Sequence, residues 1–490
     1  MRTQKLLDVR YLVLASIVSA VGYSLLPSVS PLDAAIPTMV VLRCLVAGCS
    51  SGLLFFGPRP RWAPAASTAA GIALGTTAIA LVTPVGLHLA ATIIGLVLGC
   101  AVALLLSWMQ SSNLRVAGDV IAVSVVVGVM LWCAGFLPGG MRSNAIYQQR
   151  QVALAVPPQP GQYHFDGAVF RRTYYLMKGG QGYYAAFRQS VMEDARYKPW
   201  SLSSPFNYRE PFVFYLWRVL PGDSGVALFD WFLVYAALAL VCSYVLASAL
   251  VARGIALLAP VALLAWFFYF FWTPGYFSLT EVWAAGFGVA ATMCLVREWR
   301  VPSLVLLTAA VAAREFMVLL IPAYLLAWWL SRDRKGNWWF PVAAVVGPAL
   351  VLGAHLLAVP PTSGSSGAVD RWLNGGIDRL LTALRYSFDF MPAGMWVSLA
   401  IAIAAVASAA IARPKWKMAA LLAATILPML FLLLFSGGVE GSYWGGFYTP
   451  LAISIAPGIL GRLAPAEGGA MRAGPAVEIA ADLAADTEPG

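Results

Sequence analysis

The chain has 490 residues, of which 60% are hydrophobic and only 11% charged, and its mean hydropathy is +0.77. Soluble domains carry about 25% charged residues, so the composition argues against a soluble enzyme and against the nucleic-acid partner that a net charge of +10 would otherwise suggest. The six cysteines all fall in apolar runs without Cys-x-x-Cys or Cys/His spacing, which speaks against a disulfide framework or a zinc site.

Apolar runs of about 18 or more residues recur along the chain. Backbone in lipid must satisfy its own hydrogen bonds, so these runs predict helices. The alternating segments of about 10 residues that mark a transmembrane barrel are not seen. The expectation is an all-α polytopic membrane protein with about fourteen transmembrane helices. In order they are 11–27, 37–57, 67–84, 88–109, 118–138, 225–250, 254–272, 280–297, 302–314, 316–331, 338–358, 392–412, 417–436 and 445–463. The start "MRTQKLLDVR" lacks a small-residue cleavage site after its apolar run and reads as an uncleaved first span. The spans 302–314 and 316–331 are short, and read as half-helices or one bent unit.

Four regions follow. Residues 1–117 form an N-terminal four-helix region, and 118–358 a central module containing the long loop 139–224. Residues 359–463 hold the C-terminal helices with a second loop, 359–391. The tail 464–490 is rich in Ala, Gly, Glu and Asp, has no aromatic residue, and reads as a disordered cytoplasmic end.

Orientation comes from Lys and Arg in short loops. One side holds Arg2, Lys5, Arg10, Arg59, Arg61, Arg115, Arg253, Arg297, Arg300, Arg332, Arg334, Lys335, Arg413, Lys415, Lys417 and Arg462. The short loops 28–36, 85–87, 273–279 and 437–444 hold none. The basic side is therefore expected to be cytoplasmic, with both termini inside and the two long loops outside. The protein is expected to be a multi-pass component of the cytoplasmic (inner) membrane.

Loop 139–224 is too long for a simple connector. It contains "DGAVFRRTYYLMK" and "GYYAAFRQSVMEDARY", which predict two amphipathic surface helices separated by Gly179 and Gly180. An interfacial anchor is the plain reading of such helices. The functional reading starts from Asp166, a carboxylate in a dense aromatic and basic setting, able to take a proton from a hydroxyl nucleophile. Aromatic faces such as Tyr183 suit a sugar, and Arg and Lys suit phosphate oxygens. His164 is a reserve base or hydrogen bonder. Glu193, Asp194, Glu210 and Asp223 are the other acids of the loop.

Further along, "REPFVFYLWRVLP" starts an apolar segment between Pro211 and Pro221, and "TEVWAAG" puts Glu281 at a helix start, where a carboxylate suits the positive end. "AAREFMVLLIPAYLLAWWL" places Arg314 and Glu315 between the two short spans. An ionisable residue at membrane depth is a functional candidate, and a structural Arg–Glu pair is its rival. "EGSYWGGFYTPLA" puts Glu440 at the outer mouth of the last span. His88 and His355 lie in helices and read as packing residues. No nucleotide-binding glycine loop is present.

Taken in order, the outer loop with Asp166, "EPFVFYLWRVLP", "TEVWAAG" and "AAREFMVLLIPAYLLAWWL" resemble the GT-C superfamily of membrane glycosyltransferases. The resemblance covers roughly 118–358. It departs from the family's pattern in having four preceding spans and no DxD or DE pair around Asp166.

The resemblance implies transfer of a sugar from a polyprenyl-phosphate-linked donor to a glycan, lipid or protein acceptor at the outer face, with inversion. Asp166 would be general base, and Arg314, with Arg209 or Lys178, would neutralise the departing lipid phosphate. The acids leave room for a divalent cation, Mg²⁺ or Mn²⁺, and no other cofactor is indicated. A cell-surface polysaccharide polymerase or ligase and a lipid or sugar transporter are the competing classes. The asymmetrically placed long loop and the lack of matching broken helices in two halves favour an enzyme.

Overall fold

A computed structural model describes residues 165–193, 202, 208–222, 225–251, 253–272, 276–331, 336–360, 376–386, 388, 394–411, 415–435 and 444–462. Of these, 87% are helical and none forms a strand. The first five predicted spans, the tail 464–490, His164, Asp194, Asp223 and Glu440 lie outside the described residues.

The long loop supplies three short helices. Helix α1 runs Phe165–Lys178 and α2 runs Tyr183–Glu193. Between them Gly180 takes φ 98°, a left-handed conformation that glycine adopts without steric cost. The turn closes with Gln181 N–H donating to the Leu176 carbonyl and Gly180 N–H to that of Met177, the double bond of a Schellman stop. The predicted helix pair and its glycine break are thus both present. Helix α3, Phe212–Val219, follows Pro211. Phe170, Tyr183, Phe187, Phe214 and Trp217 pack edge to face or tilted and join the three helices into one buried aromatic layer.

The apolar runs then follow in order: α4 Gly225–Ser248, α5 Leu258–Trp272, α6 Thr280–Val296, α7 Arg300–Ala313, α8 Ile321–Trp329, α9 Trp339–Ala358, α10 Ile377–Tyr386, α11 Gly394–Ile411, α12 Lys415–Phe435 and α13 Gly445–Ile455. A 3-10 segment, Glu315–Leu320, precedes α8, and another, Ala456–Arg462, follows α13. Among the described residues, α4, α9, α11 and α12 contain stretches long and apolar enough to cross a membrane. The predicted total of fourteen extends beyond the described residues.

Helix α6 is the centre of the bundle. Nearly every residue from Thr280 to Val296 is buried, and the helix packs against α4, α7 and α13. Small residues permit the close approach. A Cβ added at Gly286 would land on the hydroxyl of Tyr235, which donates to the Trp283 carbonyl. Tyr324 of α8 donates to the carbonyls of Ala291 (3.2 Å) and Ser303 (2.9 Å), tying three helices at one point. Helix α9 is the opposite case. Its span is as apolar as a core helix, yet only 22% of it is buried, and Leu350 and Leu357 stand open. An apolar surface of this size needs a non-aqueous neighbour, and a bilayer supplies one.

Candidate functional site

The two short spans, expected as half-helices or one bent unit, are two separate short helices, and the break between them begins at Arg314. Helix α7 ends there because Arg314 takes φ −155°, ψ 128°, extended backbone that cannot continue a helix. The chain resumes as a six-residue 3-10 turn before α8, longer than such turns usually run. The break turns the Arg314 side chain into the bundle, where it is 1% exposed.

A buried guanidinium needs compensation, and three carboxylates supply it. Arg314 Nη2 lies 3.1 Å from Glu281 Oε1, and Nη1 lies 3.3 Å from Glu315 Oε2 and 4.0 Å from Glu210 Oε2. Each acid arrives on a different element. Glu281 stands in the first turn of α6, where the helix dipole favours negative charge. Glu315 opens the 3-10 turn, and Glu210 precedes the Pro211 start of α3. The Arg314–Glu315 pair, weighed from sequence as a functional candidate against a structural ion pair, is part of a four-residue cluster. Burial, and then the neighbouring Glu315 charge, raises the Glu210 carboxyl well above the usual carboxylate range, so Glu210 holds its proton more tightly than a free glutamate does.

Two rings complete Arg314's surroundings. Its guanidinium carbon lies 5.3 Å from the Phe316 ring centre and 5.8 Å from that of Phe447, within cation–π range. The same two rings line an apolar groove with Met317, Leu320, Phe431 and Trp444. A charged cluster and an apolar groove therefore share one aromatic wall.

Tyrosines lie on the loop side of the cluster. Tyr183 donates to the carbonyl of buried Arg209, next to Glu210. Burial, then the Glu210 charge, raises the Tyr183 hydroxyl well above its ordinary value. Tyr184 sits 3.0 Å from His355 Nδ1, with the rings stacked at 5.9 Å, and burial pushes its hydroxyl up to about 12. His355 is buried, as its sequence reading expects, but it also docks α2 onto the end of α9. The spacing of His355 within α9 gave no sign of that partner.

Asp166 lies in the first turn of α1, and its side chain is outside the described residues. The neighbouring backbone is braced. The Gly167 carbonyl accepts from Ser278 Oγ (3.2 Å) and from Arg171 Nε (3.0 Å). Ser278 is three residues before Glu281, a reach of at most about 10 Å, so α1 begins at the same end of α6 as the cluster.

Of the predicted residues, Tyr183, Arg209, Glu210, Glu281, Arg314 and Glu315 are brought together. Lys178 is not. It donates to the Leu220 carbonyl (3.4 Å) at the far end of α3, about 12 Å along that helix from Glu210. Glu193 is bound instead to Arg172 at 2.9 Å, which lowers its carboxyl pKa. Among the described residues no group of three His, Cys, Asp or Glu could hold a metal ion. The positive charge among the cluster's carboxylates is Arg314 itself. No family model, curated protein or solved structure matches the chain.

Proposed function

We propose that the protein is a membrane glycosyltransferase that moves a sugar from a polyprenyl-phosphate donor to an acceptor hydroxyl. The site is the Arg314 end of the bundle, facing the outer side of the membrane. One observation carries the reading. Phe316 and Phe447 separate a buried cluster of charges from an apolar groove, which is the division an amphiphile needs: lipid chain on one side, polar head on the other. In this reading the polyprenyl chain packs against the apolar side of the Phe316 and Phe447 wall, the phosphate stands near Arg314 and Arg209, and the sugar lies against Tyr184, which is partly exposed. A proton on Glu210 lowers the negative charge that an incoming phosphate meets.

The step is a displacement. The acceptor oxygen gives its proton to a carboxylate, with Asp166 as the base, and forms a bond to the anomeric carbon. The bond from that carbon to the phosphate oxygen breaks, and polyprenyl phosphate leaves with the electron pair. Inversion follows from a single displacement.

The test is turnover of a panel of radiolabelled polyprenyl-phosphate sugars by the purified protein. Asp166→Asn should lower the rate by about 10²–10⁴ and leave folding unchanged. Full turnover by Asp166→Asn would move the base to another carboxylate, and failure of the wild type with every donor would end the reading. Sidedness has its own test. Cysteine placed at Ser143, in a background free of the native cysteines, should react with an impermeant reagent in intact cells. Reaction only after lysis would invert the topology.

A further inference from the structure

The α6–α7 hairpin has a second polar end, roughly 21 Å from Glu281 by helix rise. There the turn between α6 and α7, the end of α8, and the starts of α9 and α12 enclose an open cleft of about 430 Å³. Glu298, Arg300, Ser331 and Asn337 give it polar lining, and Trp328 and Trp416 give it aromatic walls.

Its chemistry favours an anion. Arg300 lines the cleft, and Lys417 lies beside it, with its Nζ 5.4 Å from the Trp416 ring centre and 3.9 Å from Glu298 Oε1. Among the described lining residues the one carboxylate, Glu298, faces Lys417, and Arg300 adds a further positive charge. Glu298 is held in the left-handed region at φ 62°, unusual for a residue with a side chain, and its carbonyl accepts from Arg300 N–H at 3.0 Å. Helices α7 and α9 both begin at this cleft, at Arg300 and Trp339, and neither is capped by a side chain. Their first N–H groups and dipoles add to the positive field.

The surroundings are those of a bilayer surface. Trp299, Trp329 and Trp338, chain neighbours of the lining residues, are 54%, 60% and 64% exposed. Large exposed indoles suit the headgroup region and little else. Below them Leu326, Leu330 and Val342 expose apolar surface on α8 and α9.

We propose that this cleft binds the headgroup of an anionic phospholipid. The phosphate oxygens take Arg300 and Lys417, the tryptophans flank the glycerol, and the acyl chains run along α8 and α9. The proposal is independent of the glycosyltransferase reading and requires only that these helices stand in a membrane.

The test is native mass spectrometry of the full chain released from nanodiscs of phosphatidylglycerol and phosphatidylcholine in equal amounts. The wild type should retain phosphatidylglycerol about tenfold more often than phosphatidylcholine. Arg300→Gln with Lys417→Gln should abolish the preference. Arg218→Gln with Arg379→Gln removes equal charge elsewhere and should preserve it. Arg300→Lys with Lys417→Arg should also preserve it, which keeps the proposal testable if the neutral pair folds poorly. Equal retention of the two lipids by the wild type would overturn the proposal, as would equal loss in the two neutralised pairs. Thermal protection by inorganic phosphate equal to that by phosphatidylglycerol would also overturn it, because the site would then be for a free anion.

Discussion

The two ends of the α6–α7 hairpin carry the same kinds of charged residue and handle them in opposite ways. At one end Arg314 is sealed inside the bundle, with Glu210, Glu281 and Glu315 around it and two phenylalanine rings against it. At the other, Arg297 and Glu298 are exposed, and Glu298 meets Lys417 only at 3.9 Å. An ion in a dry interior must be compensated where it stands, while an ion at a wet surface is compensated by water. The sealed end therefore fixes side-chain positions closely. At the open end Arg297 donates to the Val245 carbonyl and to Ser248 Oγ, and Arg300 lines the cleft.

The contrast predicts very different costs for similar substitutions. Arg314→Ala leaves the buried Glu210 and Glu281 and the partly buried Glu315 without their cation and should destabilise the protein by about 3–5 kcal/mol. Arg300→Ala should stay within about 0.5 kcal/mol. Unfolding in mild detergent measures both, and equal costs would dissolve the distinction. Arg314→Met combined with Glu281→Gln and Glu315→Gln should recover much of the loss, because it removes the charges together.

Glu210 sharpens the comparison. Glu210→Ala should cost about 1–3 kcal/mol by removing a buried polar group from the cluster around Arg314, while Glu210→Gln, which resembles the protonated acid, should cost far less. The raised carboxyl also sets a pH dependence. Folded Glu210 holds its proton more tightly than the unfolded chain does. Stability should therefore fall as pH rises from about 4.3, the ordinary glutamate value, through the raised folded value. Glu210→Gln should flatten that slope above the ordinary glutamate value, and an unchanged slope would show that Glu210 is not the group that titrates there.

The docking of α2 is a smaller matter. Tyr184→Phe removes the hydroxyl contact to His355 and should cost about 0.5–1.5 kcal/mol, seen as faster proteolysis of the α1–α2 segment. Smallest is Glu193→Gln. Its partner Arg172 is partly exposed, so the loss at pH 7 should be below about 1 kcal/mol. The Glu193 pKa is lowered, so the ion pair contributes above the ordinary carboxylate range and is lost as pH falls through the lowered value. At acid pH the variant and wild type should therefore converge.

How much of this was legible in the sequence can be read residue by residue. The break at Arg314 was, because two charged residues interrupt an apolar run whose halves are each too short to span. The α1–α2 turn was, because only glycine takes Gly180's conformation without strain. Glu281 was placed at a helix start and is found in the first turn of α6. The family resemblance offered Lys178, as the alternative to Arg209, for the lipid phosphate. Its ammonium instead reaches the Leu220 carbonyl and lies over the Tyr174 ring. His355's partner was hidden because α2 and α9 are far apart in the chain, and no periodicity records which helix end meets which.

For the described residues, the sequence by itself determined that the chain is helical, roughly where its apolar helices run, and which few charges interrupt them. Those features are local: a run of apolar side chains, a glycine, a proline or an ion acts on the backbone that carries it. Only the tertiary structure decided that Glu210, Glu281 and Glu315 converge on Arg314, and that Phe316 and Phe447 divide them from a groove. Convergence depends on the rotation of each helix about its axis and on how closely small residues such as Gly286 and Gly288 let α6 approach its neighbours. Those quantities are set by packing among elements distant in the chain, and a residue's own neighbours in sequence do not carry them.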